Sequence, residues 1–195
     1  MKRRAIQVIS YIMLPLMLGL SIVAEPLIKI ILTEKWLPCV SYLRIFCFTY
    51  GVWPVHTANL QAINALGRSD LFLKLEIIKK GIGMIALVIS MQISPLAMAY
   101  SLIITDIISI FVNATPNTFL IQYSYLEQAK DLFPPLFMAL FMAIVVYPIS
   151  FLSLPNIFII VLQVVMGTVV YLAESLLLKY PAFYYLISFI KKKRE

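Results

Sequence analysis

Charged side chains are scarce in this sequence: Asp, Glu, Lys and Arg together account for 13% of its 195 residues. A soluble domain usually carries about twice that share. A chain of this length cannot enclose a composition that is 62% hydrophobic in one core, so part of it must face lipid. These values exclude an ordinary soluble protein and predict an all-α, multi-pass membrane protein.

Cysteine and histidine are nearly absent, with two Cys and one His. Cys39 and Cys47 lie eight residues apart on one predicted helix, about 12 Å by helical rise, which is too far for a disulfide. No Cys/His cluster has the spacing of metal ligands. The sequence therefore predicts no metal site and no cofactor.

Signatures of catalysis and of nucleic-acid binding are also missing. The chain has no nucleophile-elbow glycines, no Walker loop, no HExxH and no paired carboxylates at a water-accessible helix end, so we expect that it is not an enzyme. Its net charge of +7 is concentrated at predicted helix ends rather than interleaved with aromatics along one face. No nucleic-acid partner is therefore expected.

Long apolar runs are what the sequence does contain. A spanning helix needs roughly 20 mainly apolar residues, because its backbone must be satisfied within the segment. Six segments qualify within a single transmembrane helical domain covering residues 1–195. The predicted spans are about 5–24, 40–63, 71–93, 96–114, 135–154 and 157–178, and residues 179–195 are predicted to form an interfacial basic tail.

Basic residues are distributed unevenly around these spans. With a cytoplasmic N-terminus, only Lys29, Lys35 and Arg44 of the 16 Lys and Arg residues fall outside. The positive-inside rule therefore predicts that both ends are cytoplasmic. The stretch 64–81 becomes a tight cytoplasmic hairpin, which anchors the third helix at the headgroups through four basic side chains: Arg68, Lys74, Lys79 and Lys80.

A few polar residues are predicted to lie at bilayer depth, where a charge costs roughly 2.5–3.5 kcal/mol on insertion scales. Asp106, Ser109 and Asn113 share one face of the fourth span. They predict either one wall of a hydrated substrate pathway or a set of contacts that join helices. Arg44 in the second span is expected either to contact an anionic substrate or to extend its side chain to the outer headgroups.

Polar positions on two other spans carry similar alternatives. In the sixth span Gln163, Gly167, Tyr171 and Glu174 fall on one face, which predicts a packing seam or the wall of an inner cavity. His56 in the second span predicts a hydrogen-bonded packing residue, although a histidine can also titrate near neutral pH.

The stretch "LTEKWLPCVSYLRIFCFTYGVWPVHTANLQAINALGRSDLFLKLEIIKK" resembles the lipopolysaccharide O-unit flippases, or polysaccharide transporters, of the multidrug/oligosaccharidyl-lipid/polysaccharide export superfamily. The shared pattern over residues 10–95 begins with a Pro-containing helix and "EKW" at an outer turn. Asn59 and Asn64 then precede "ALGRSD" and a Lys/Glu-bearing helix. Later spans agree mainly in number, in length and in the amphipathic "YLEQAKDLFPP" link, which is predicted to lie at the membrane interface.

The resemblance implies a function in the bacterial inner membrane. Members have twelve or fourteen helices in two lobes and move undecaprenyl-diphosphate-linked sugars by alternating access, for lipopolysaccharide or capsular polysaccharide biosynthesis. The six spans would correspond to the last six of fourteen, so the chain is expected to be a C-terminal part, inactive alone. The implied partners are lipid-linked oligosaccharide, membrane lipid, and the missing N-terminal lobe or other polysaccharide assembly proteins. A coupling ion, proton or sodium, is left open.

The resemblance also bears on two of the intramembrane residues. In a passage for a pyrophosphate-linked sugar, cations contact phosphate groups and polar side chains contact sugar hydroxyls. The resemblance therefore implies that Arg44 could contact phosphate and that Asp106 could contact hydroxyl groups. The alternative reading of the whole chain is a non-transporting membrane interaction subunit or an inert gene remnant.

Overall fold

A computed structural model of the protein describes residues 2–192, and side chains from residue 6 to residue 189. The described chain forms seven α-helices and two 3₁₀ helices, with no strand in that range, which confirms the all-α prediction. The α-helices are α1 (Lys2–Ile31), α2 (Cys39–Ala65), α3 (Ser69–Met91), α4 (Pro95–Leu120), α5 (Tyr125–Val146), α6 (Asn156–Leu177) and α7 (Pro181–Lys192). The 3₁₀ helices are Glu34–Trp36 after α1 and Tyr147–Phe151 after α5.

Side-chain caps fix where α4 and α5 begin. The Ser94 hydroxyl accepts a hydrogen bond from the backbone N–H of Ala97 at 3.0 Å, and a proline follows it at the first helical position. Ser124 and Glu127 form a reciprocal capping box, with the hydroxyl of one and the carboxylate of the other each accepting a backbone N–H. Both caps satisfy amide groups that the first helical turn leaves without partners.

The turn between α2 and α3 is the predicted hairpin. Gly67 has a φ of +71°, a backbone region that glycine enters without the Cβ penalty. Its N–H donates to the Asn64 carbonyl at 2.9 Å, and the Arg68 N–H donates to the Ile63 carbonyl at 3.3 Å. This pair of bonds is the Schellman arrangement, and it closes the carbonyl end of α2 before the chain reverses.

Two helices extend beyond the spans expected from hydropathy. α4 continues through Pro116 to Leu120, past the predicted end at 114, and α5 starts at Tyr125 rather than at 135. The capping box at the start of α5 nucleates the helix upstream of Pro134 and Pro135, which lie inside it. The amphipathic stretch that the sequence suggested as an interfacial link is therefore the first part of α5.

α1 lies in the middle of the bundle. It packs against α2 on one side and against α5, α6 and α7 on the other, while α4 packs on α2 and α3 packs on α4. Where lipid surrounds the helices, close packing rather than the hydrophobic effect holds such contacts together. The main core comprises Tyr11, Leu14, Met138, Ala139, Met142, Val146, Tyr171, Tyr180 and Ala182.

Four of the described helical segments are long and apolar enough to cross a membrane. They are Ile6–Ile31, Pro95–Leu120, Tyr125–Phe151 and Asn156–Leu177. Large apolar side chains stay exposed along these helices, as at Leu177, which is 82% exposed. The protein is therefore an all-α membrane protein. α2 and α3 are not among the four, because they carry more polar and charged residues, so the six-span topology stays a prediction.

Candidate functional site

Buried amide side chains join α2, α4 and the start of α5. Asn117 of α4 donates through Nδ2 to the backbone carbonyl of Asn59 at 3.0 Å and to its side-chain oxygen at 2.8 Å. Asn59 donates in turn to Oε1 of Gln128 at 2.9 Å. The two asparagines are almost completely buried. Three helices thus share one hydrogen-bond chain inside an apolar bundle.

A second contact extends this amide network along the α2–α4 interface. Asn113 Nδ2 lies 3.1 Å from His56 Nδ1, and with the amide as donor the ring proton is on Nε2. The two helices run parallel here, because His56 faces Asn113 and Asn59 faces Asn117. His56 is therefore a hydrogen-bonded residue between helices.

Not every polar atom in the amide network has a protein partner. His56 Nε2, Asn113 Oδ1 and Asn117 Oδ1 are buried without a hydrogen bond to any described residue. Buried polar groups are normally hydrogen-bonded, so these three atoms leave part of the hydrogen-bonding capacity of the network unused. The amide network is consequently more than a set of saturated helix–helix contacts.

At the start of α5 the amide network continues towards α1. Gln128 donates to the backbone carbonyl of Tyr123 at 3.3 Å, and the Tyr123 hydroxyl donates to the Asp131 carboxylate at 2.8 Å. Gln7 of α1 donates to the other oxygen of Asp131 at 3.0 Å. Polar contacts therefore connect four helices near the end of the bundle that holds the start of α1.

Asp106 and Ser109 lie on α4 about two turns and one turn before Asn113, and on the same face of the helix. Both are half-buried, and neither has a hydrogen-bond or ion-pair partner among the residues that the structure describes. By the parallel register, Asp106 lies level with Thr49 of α2. The structure thus keeps three of the sequence-predicted pathway residues on one stripe, and only Asn113 of the three is tied to another helix.

Arg44 lies apart from that stripe. At 100° per residue it is about 120° around α2 from His56. Its Nε donates to the Ser21 carbonyl of α1 at 3.3 Å, and its side chain lines a small polar pocket between α1, α2, the Tyr147–Phe151 helix and α6. The four predicted pathway residues are therefore not all in one place.

The predicted anchoring residues lie at the hairpin and along the first turns of α3. Arg68 forms two hydrogen bonds with the Asp70 carboxylate, at 3.0 and 3.1 Å, and this contact lowers the pKa of Asp70. Lys79 pairs with Glu76 on the same helix. Lys74 and Lys80 are exposed.

Asn117 and Gln128 are site residues that the sequence reasoning missed. The signal for Asn117 was available, because it follows Asn113 by four residues and so continues the same face of α4. The signal for Gln128 was not, because its segment was interpreted as an interfacial link. Within residues 2–192, no cluster of three or more His, Cys, Asp or Glu side chains could hold a metal ion.

Comparison with known proteins gives a match at the start of the chain. Residues 1–41 match the model of a family described as polysaccharide biosynthesis protein, a segment that covers α1 and the turn into α2. No curated protein and no solved structure matches the chain. The match suggests a role in polysaccharide biosynthesis or export, which fits a helical membrane protein.

Proposed function

We propose that this chain is part of a flippase that moves undecaprenyl-diphosphate-linked oligosaccharide across the bacterial inner membrane, for lipopolysaccharide or capsular polysaccharide biosynthesis. In this proposal α1 to α6 are six spans with both chain ends in the cytoplasm. The chain works together with a second set of helices that completes the passage. It performs transport and no covalent chemistry.

The observation that carries the proposal is the polar stripe of α4. Asp106, Ser109 and Asn113 follow one another inside an apolar bundle, and the first two have no described partner. An unpaired acid at bilayer depth is unfavourable unless it faces water or a polar ligand. A sugar-bearing substrate offers many hydroxyl groups to such a surface, and the family match at residues 1–41 independently suggests polysaccharide export.

The test is substitution on the chromosome, so that the protein is made with its natural partners. Asp106→Asn and Ser109→Ala should each lower surface polysaccharide while an immunoblot shows unchanged protein in the membrane. The matched control is Glu34→Gln, which removes an exposed carboxylate from the 3₁₀ helix after α1 and should leave polysaccharide normal. A normal amount of surface polysaccharide in both α4 variants would show that the polar stripe does not line the substrate pathway.

The second candidate is a membrane interaction subunit that carries nothing. Exposed polar and aromatic side chains on α2, such as Tyr50, Trp53 and Gln61, favour it, because they suit a protein neighbour better than lipid tails. Affinity purification from native membranes separates the two functions. A specific partner recovered together with unchanged polysaccharide in the α4 variants would favour the interaction subunit.

A further inference from the structure

The polar pocket that contains Arg44 is lined by both charged and neutral polar side chains. It has a volume of about 210 Å³, and its charged wall consists of Arg44, Lys29 and Glu25. Lys29 is paired with Glu25 at 2.8 Å, whereas Arg44 has no carboxylate within ion-pair distance among the described residues. Arg44 is thus the cation of this wall that lacks an ion-pair partner, and it lies beside Ser150 and Asn156 in the pocket lining.

Arg44 keeps most of its binding capacity. Only its Nε is engaged, in a 3.3 Å bond to a backbone carbonyl, which leaves the terminal guanidinium nitrogens without a described partner. A guanidinium presents paired N–H groups that match two oxygens of a phosphate. The pocket can therefore bind the oxygens of a phosphate group through Arg44.

An apolar groove begins where this pocket ends. It has a volume of about 560 Å³ between α1, α5 and α6, and Ile22 lines both cavities. Gly19 and Gly167 lie on opposite walls, and their lack of side chains leaves room between the helices. Val164 and Leu172 contribute apolar surface along α6.

A buried polar group marks the boundary between the two cavities. Gln163 lines the groove and donates to Ser150 of the polar pocket at 2.8 Å. The Gln163 side chain is only 2% exposed, and its Oε1 is buried without a described hydrogen-bond partner.

The dimensions suit one leaflet of a bilayer. On α1 the groove runs from Pro15 to Val23, about 12 Å by helical rise, and the charged pocket follows at Glu25 to Lys29. Half of a bilayer's hydrocarbon core is about 15 Å thick. The order along the helix is thus apolar near mid-span and charged at the end, as in a membrane lipid.

We propose that these cavities form a binding site for one anionic glycerophospholipid of the surrounding membrane. Its phosphodiester binds Arg44 and Lys29, and one acyl chain lies in the groove between α1 and α6. One unpaired guanidinium offers paired N–H groups to two oxygens of one phosphate, which matches a phosphodiester better than a diphosphate. The site is separate from the α4 stripe and does not depend on transport.

The experiment is native mass spectrometry of the purified protein in detergent with added dioleoyl phosphatidylglycerol, dioleoyl phosphatidylcholine or a polyprenyl diphosphate. The wild-type protein should bind phosphatidylglycerol at least about tenfold more tightly than phosphatidylcholine with the same chains. Arg44→Gln should abolish most of this preference. Gly19→Leu should weaken both lipids, because a Cβ at Gly19 meets no atom within 4 Å and the larger side chain fills the groove rather than the core.

Matched controls separate the site from general effects of charge and size. Lys35→Gln removes a positive charge from the same end of the bundle but outside the pocket. Gly83→Leu adds the same side chain on α3, where a Cβ also meets nothing within 4 Å. Both should bind phosphatidylglycerol as the wild-type protein does.

Three outcomes would overturn the proposal. Equal binding of phosphatidylglycerol and phosphatidylcholine would show that the anionic headgroup does not contribute to binding. Unchanged binding in both Arg44→Gln and Gly19→Leu would show that the lipid does not bind in these cavities. Displacement of phosphatidylglycerol by an equal or lower concentration of polyprenyl diphosphate would make the cavity a substrate site instead. None of these results affects the polysaccharide test of the proposed function, since that test rests on α4.

Discussion

Replacing Asn117 by alanine tests whether the amide network holds α2 against α4. The substitution removes two hydrogen bonds between helices, to the carbonyl and to the side-chain oxygen of Asn59, and a longer one within α4, to the Asn113 carbonyl at 3.4 Å. A neutral hydrogen bond contributes a net 0.5–1.5 kcal/mol in typical proteins and about 0.6 kcal/mol on average between membrane helices. We therefore expect the free energy of unfolding to fall by about 1–3 kcal/mol.

The pair is isolated by a double-mutant cycle with Asn59→Ala. If the two amides bond to each other, the loss in the double variant should be smaller than the sum of the single losses by about 0.6–1.7 kcal/mol. The assay is reversible unfolding in mixed micelles, followed by far-ultraviolet circular dichroism. Asn64→Ala is the matched control, because that amide is exposed at the end of α2 and should change stability by less than about 0.5 kcal/mol.

Additivity would refute the reasoning. If the two single losses sum to the double loss within about 0.3–0.5 kcal/mol, the side chains of Asn59 and Asn117 do not share an interaction. A loss in Asn64→Ala as large as that in Asn117→Ala would show that the assay measures helix propensity rather than the buried contact.

Three further predictions concern the hairpin and the caps. Gly67→Ala should destabilise the protein by roughly 1 kcal/mol, because alanine is strained at φ +71°. Gly83→Ala is the control and should be neutral or stabilising, because a Cβ there meets no atom within 4 Å. Unfolding in micelles compares the stability of the two variants. Ser124→Ala should cost about 0.5–2 kcal/mol and increase amide hydrogen exchange in the first turn of α5, and unchanged exchange would contradict the capping box. Arg68 lowers the pKa of Asp70 below 3.8, so their contact stabilises the folded state above that pH. This stabilisation is lost as the pH falls through the lowered pKa. Arg68→Ala should move the pKa of Asp70, followed by NMR, back towards 3.8.

The membrane character and the positions of the helices followed from local properties of the chain. Apolar runs long enough to satisfy their own backbone in lipid predicted α1, α4 and α6. The charged stretch 64–81 predicted the hairpin between α2 and α3, and the structure places Gly67 in it with a left-handed backbone that few other residues adopt without strain. Such signals are local, so the sequence alone was sufficient to find them.

The extent of α5 was less accessible. The predicted fifth span began at about residue 135, whereas the helix begins ten residues earlier, at Tyr125. Pro134 and Pro135 lack the amide hydrogen that an interior helical position uses. The structure keeps both inside the helix, with Pro135 buried against the core. The capping box at the start of α5 and its packing against α1 offset the local cost of these two prolines.

The sequence by itself determined an all-α membrane protein and a polar stripe from Asp106 to Asn113 on α4, because both depend only on composition and on the 100° step of a helix. The tertiary structure decided which polar groups meet. It paired Asn117 with Asn59 and turned Arg44 away from the stripe towards α1 and α6. Partners between helices depend on how each helix is rotated and shifted against its neighbours, and that is set by packing across the whole bundle rather than by any one segment.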